Sequence, residues 1–81
     1  MDSNIRHNPV SRERFALDGV GYEIAAAADE AGCLARWNCT LCGLGAQSKV
    51  KFPSSSAAME WARNSARSHH DRLHAAQRPP A

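Results

Sequence analysis

Two cysteines separated by two residues sit in Trp37-Asn38-Cys39-Thr40-Leu41-Cys42-Gly43, and three histidines follow far downstream at His69, His70 and His74. This pairing constrains the chain more than any other feature. A tight turn ending at Gly43 can hold both sulfurs on one side of the backbone, at the spacing a tetrahedral ion needs. The histidines then complete a Cys-x2-Cys…His-x3–4-His pattern, whose soft sulfur and imidazole donors suit zinc. His74 is common to both possible histidine spacings. Cys39, Cys42 and His74 are therefore the expected ligands, with the fourth drawn from His69 or His70.

Composition explains why such a chain needs an ion. It has 81 residues, enough for one domain. About 43% of them are hydrophobic, but many of these are alanine, and the aromatics are only Phe15, Tyr22, Trp37, Phe52 and Trp61. A core that thin scarcely offsets the conformational entropy of ordering the chain, so a staple is expected. Three cysteines is an odd number. Met1-Asp2-Ser3-Asn4-Ile5-Arg6 contains no apolar run of signal length, so a secreted disulfide scaffold is not expected and a cytoplasmic location is. No stretch approaches the length of a membrane span. A formal net charge of +2 neither names nor forbids a polyanionic partner.

Along the chain, residues 1–13 are polar, carry Pro9 and show no apolar period, which predicts a disordered tail. His7 lies there, apart from the other histidines. Asp18-Gly19 between Phe15-Ala16-Leu17 and Val20-Gly21-Tyr22 suits a type I′ hairpin turn. Residues 22–28 alternate as a strand, although their alanines also suit a helix over 25–31. Asp29-Glu30-Ala31-Gly32 breaks this run, and residues 33–38 return as its partner. Residues 46–52 alternate Ser48, Val50 and Phe52 against Gln47, Lys49 and Lys51, which predicts a half-exposed strand ended by Pro53. Ser54-Ser55-Ser56 supplies N-cap hydroxyls for a helix over 56–75. On that helix Ala58, Ala62, Ala66, His69 and Leu73 form one stripe with Trp61 at its edge, opposite Glu60, Arg63, Asn64, Arg67 and Asp71. Residues 77–81 form a second disordered tail. The expected fold is α+β: a small antiparallel sheet, a hairpin plus a third strand, packed on one C-terminal helix and stabilised by zinc over residues 14–76.

His69 lies on the apolar stripe and so faces the sheet where the cysteines must be. It is the preferred partner of His74, with His70 as the alternative. His69 and His74 span about 140° of an ideal helix, so this choice requires the last turn to loosen. Cys33 is expected to be packing, because an extended strand places it about 20 Å from Cys39. Two other readings of Cys39 and Cys42 are a redox pair and ordinary buried thiols. The first lacks the βαβ sheet of thioredoxin-like proteins.

With a hairpin bearing Cys39 and Cys42 and a helix bearing His69 and His74, residues 37–74 resemble the C2H2-type zinc fingers in ligand order and ββα layout. The 26 residues between Cys42 and His69 make the spacing nearer that of larger variants such as the BED type. With all four positions filled by protein and none left for a catalytic water, a non-enzymatic, monomeric binding module with one structural zinc is expected. Its expected partner is nucleic acid, bound weakly and non-specifically through Arg63, Asn64, Arg67, Lys49 and Lys51, with affinity of about 10⁻⁴–10⁻⁶ M. Arg63 and Arg67 lie one turn apart, but Glu60 and Asp71 interleave with them. A protein partner bound through an exposed Trp37 or Trp61 is the alternative. An enzyme is not expected, since the sequence places no carboxylate near the thiols and shows no Ser-His catalytic motif or Gly-rich phosphate loop; neither a small-molecule substrate nor a membrane is expected.

Overall fold

The computed structural model describes residues 8–74. Residues 1–7, with His7, and the C-terminal tail 77–81 lie outside the described residues. Four strands, β1 (Asn8–Leu17), β2 (Val20–Asp29), β3 (Gly32–Cys39) and β4 (Gly45–Gln47), form an antiparallel meander in the order β1-β2-β3-β4. One helix, α1 (Ser55–Leu73), packs on the sheet, chiefly against β2 and β3.

Each turn has a local cause. Asp18 (φ 52°) and Gly19 (φ 82°) both adopt positive φ, as a type I′ turn between β1 and β2 requires. Between β2 and β3 the Asp29 carboxylate accepts hydrogen bonds from the backbone N–H groups of Ala31 (2.8 Å) and Gly32 (3.2 Å) and from Lys51 Nζ (2.5 Å). The Lys51 ammonium, aided by those amides, holds this carboxyl below the usual carboxylate range. The alanines of β2 thus form a strand rather than a helix, because alternate ones meet opposite faces: Ala26 is buried among the core residues while Ala25 and Ala27 are only half-buried.

Three boundaries differ from expectation. Residues 8–13, read from the sequence as part of a tail, lie in β1 and pair with β2, Glu13 opposite Ile24. Their polar composition suits an edge strand, and the register shift between Pro9 and Ser11 accommodates the proline. The strand expected over 46–52 is reduced to β4 and an isolated bridge between Cys33 and Phe52. The buried Ser48 hydroxyl accepts from the Ala35 N–H (3.1 Å) and donates to the Val50 carbonyl (2.9 Å), which turns the chain off the sheet and leaves Val50 exposed. Leu73, placed on the apolar stripe, is 51% exposed.

Ser54 caps α1 by accepting from the Ala57 N–H at 3.1 Å. Ala58, Ala62 and Ala66 have no exposed surface and, with Met59, join Val20, Tyr22, Ile24, Ala26, Ala35 and Trp37 in one core. Alanines on the helix let it lie close to the sheet. At the other edge a Cβ on Gly45 would fall 2.4 Å from the Trp37 carbonyl, so only glycine lets β4 close on β3. Gly45→Ala is expected to cost about 1–3 kcal/mol in urea unfolding; an unchanged midpoint would show that this approach is not what anchors β4.

Candidate metal centre

The centre forms where the end of β3 meets the end of α1. Cys39 is the last residue of β3, its N–H bonded to the Leu44 carbonyl at 2.8 Å and its carbonyl accepting from the Gly43 N–H at 2.9 Å. This tight turn, with Gly43 at φ 80°, swings Cys42 back toward Cys39. From the helix, His69 enters on the buried face and His74 follows as the C-cap, at φ −124° and ψ −12°. The loosening that a five-residue spacing demands is therefore confined to His74 itself, whose N–H still bonds the His70 carbonyl at 2.8 Å.

One ligand atom from each of Cys39, Cys42, His69 and His74 lies within 4.8 Å of all the others, and the group can hold a metal ion. Cys42 Sγ is 3.5 Å from His69 Nε2, and Cys39 Sγ is 3.7 Å from His74 Nε2. Metal–sulfur bonds of about 2.3 Å and metal–nitrogen bonds of about 2.0–2.1 Å, at tetrahedral angles, put sulfur and nitrogen about 3.6 Å apart. These two sulfur–nitrogen separations thus already match edges of a tetrahedron that zinc fits.

The electrostatics favour the ligating forms of two donors. Burial lowers the His69 pKa, and the neighbouring His74, Arg72 and His70 side chains act the same way, which favours its neutral imidazole. For Cys39, burial pushes the thiol up, but hydrogen bonds from the backbone N–H groups of Cys42 and Leu41, together with the Cys42 and Tyr22 side chains, make the net direction down, toward thiolate. Trp37 packs against His69 with ring centroids 4.8 Å apart. His74 Nδ1 is buried without a hydrogen-bond partner among the described residues.

His70, the alternative ligand, has a different role. It is 1% exposed, and both its ring nitrogens are taken: Nε2 is 2.7 Å from Asp18 Oδ2 and Nδ1 is 2.8 Å from the Tyr22 hydroxyl. The tautomer that satisfies both has Nε2–H donating to the carboxylate and Nδ1 accepting from the phenol. Burial, reinforced by the nearby Cys39, raises the Tyr22 pKa, which keeps that phenol protonated. The result is a clamp between the first hairpin and the last turns of α1. Sequence reasoning missed it because Asp18 reads fully as a turn residue and Tyr22 as an apolar strand position; an inward-facing phenol needing a partner was the available signal.

Cys33 stands apart from this group, buried in the core and bridged to Phe52 through the backbone. Trp37 is buried rather than exposed, and Trp61 is half-buried beside Phe52 at 6.3 Å between centroids. The cations expected to meet nucleic acid do not act as one set. Arg63 is paired with Glu13 at 2.5 Å and Lys51 with Asp29 at 2.5 Å, whereas Asn64, Arg67 and Lys49 are exposed. Among the described residues no helix is long and apolar enough to cross a membrane. Comparison with protein-family models, curated proteins and solved structures finds no match.

Proposed function

We propose that this chain is a zinc-stabilised binding module in which one Zn²⁺ is held by Cys39, Cys42, His69 and His74 as a structural ion. The observation that carries this reading is the convergence of two sulfurs and two imidazole nitrogens, drawn from the ends of two elements, to within 4.8 Å. A two-sulfur, two-nitrogen tetrahedral set suits zinc over the harder divalent cations. With four protein donors no position is left for a substrate or an activated water, so the ion's work is to hold β3 against α1. The module's partner is nucleic acid, engaged mainly through phosphates. In support, the chain carries 10 Lys and Arg against 8 Asp and Glu, and several of these cations are exposed and unpaired among the described residues.

The test is metal analysis of protein purified without added zinc, followed by cobalt substitution. One equivalent of zinc and the absorption of tetrahedral cobalt with two thiolates are expected. Cys39→Ser and Cys42→Ser should each abolish tight binding, whereas Cys33→Ser should leave it nearly intact. A metal-free chain, or one isolated with a Cys39–Cys42 disulfide, would overturn the reading.

A further inference from the structure

The sheet face turned away from α1 carries no covering element among the described residues. Its rows can be read from the register. Arg12 pairs with Ala25, Ala25 with Arg36, and Arg36 with Gln47, so one row crosses all four strands. The adjacent row runs Arg14, Glu23, Asn38 and Gly45. Arg12, Arg14, Arg36, Asn38 and Gln47 are all exposed, and a shallow depression of about 600 Å³ lies over them. Glu23 neutralises Arg14 at 3.1 Å, while Arg12 and Arg36 have no ion pair among the described residues. The three arginines and Glu23 of these two rows sum to +2, while Glu13, which also lines the depression, is paired with Arg63 of the helix.

We propose that this outer face, not the helix, is where the module binds its partner, and that the partner is duplex DNA lying against Arg12, Arg36, Asn38 and Gln47. The proposal rests on the nucleic-acid reading above and specifies its surface and ligand class. Between the arginines lies only Ala25, two strand spacings place their Cα atoms about 10 Å apart, and a major groove about 12 Å wide admits strands of that breadth. Guanidinium forks suit phosphate oxygens and guanine edges, and the Asn and Gln amides suit adenine.

The alternatives fit less well. Single strands are held by stacking on aromatic platforms, but Phe15, Tyr22 and Trp37 alternate onto the helix side of the sheet and none stands on this face. Duplex RNA has a major groove too deep and narrow for side chains to read. An acidic peptide adding as a strand would pair along the β1 or β4 edge and could not span the row from Arg12 across to Gln47.

The test is fluorescence anisotropy of a short labelled duplex of random sequence with the zinc-loaded full chain, at about 50 and 200 mM salt, where each phosphate contact contributes about 0.9 to the salt slope. The double variant Arg12→Ala with Arg36→Ala is expected to bind at least about tenfold more weakly and to lower the slope by about 1.8, as two lost contacts require. Arg67→Ala, on the helix, should bind like the parent. Equal binding by the double variant, a larger loss from Arg67→Ala, tighter binding of a single strand, duplex RNA or polyglutamate, or no duplex binding at the lower salt would each overturn the proposal. Zinc content measured on the same samples separates the two readings: a zinc-loaded chain indifferent to DNA sinks the partner, whereas a zinc-free chain sinks the metal centre.

Discussion

Exhaustive chelation is expected to unfold this protein. Five of the twelve buried apolar residues are alanine, so the core contributes little side-chain area beyond Tyr22, Ile24, Trp37 and Met59. A structural zinc supplies about 10–16 kcal/mol of apparent binding energy, comparable to or larger than the whole stability of a small domain. Without the ion, the four donors at the junction of β3 and α1 lose their common partner, and the His70 contacts to Asp18 and Tyr22 must hold that end of the helix alone. Far-ultraviolet circular dichroism and NMR amide dispersion should both collapse on chelation and return on adding zinc; a dispersed, unchanged spectrum would refute this. Protons compete for the same donor atoms. Since Cys39 and His69 are both held below their ordinary pKa values, zinc should persist below the pH at which unperturbed thiols and imidazoles would release it, a property read with a metallochromic dye.

The second large effect separates two adjacent histidines. His69→Ala removes a donor and should lose tight zinc binding. His70→Ala should keep one zinc per chain yet destabilise the loaded protein by about 2–4 kcal/mol, because it leaves the Tyr22 hydroxyl and the inner side of Asp18 without their imidazole and opens a cavity among buried groups. Zinc stoichiometry and urea unfolding on the same samples decide the matter. Zinc loss in the His70 variant with retention in the His69 variant would exchange their roles.

Much of this architecture is legible in the residues. Asp18-Gly19 can make few turns other than the one observed, and the alternation of Tyr22, Ile24 and Ala26 against Glu23 and Ala25 specifies which side of β2 faces the helix. The grouping of Cys39, Cys42, His69 and His74 follows from the spacing of the cysteines and of His74, plus the helical stripe that carries His69. What stayed hidden has physical causes. The start of β1 is polar, and its place in the sheet depends on backbone pairing with β2 and on the Glu13–Arg63 ion pair across to the helix, neither of which leaves an apolar period. The segment after β4 alternates like a strand, but the Ser48 hydroxyl competes for backbone groups and bends it away. Leu73 lies on the correct stripe by angle, yet it sits in the last turn beyond the sheet's cover.

Because His69 and His70 are neighbours yet serve two different attachments, the rotational phase of α1 is pinned twice within one turn. Each added or deleted helical residue turns everything beyond it by about 100°, which would carry both imidazoles off their targets together. The exposed stretch of residues 49–51 lies in the same 26-residue interval between Cys42 and His69, but lengthening a surface loop costs only about 0.6 kcal/mol per doubling. Spacing in this chain is thus strict by location and not by total: the interval can grow ahead of Pro53, while the span from Ser54 to His74 admits no change in length.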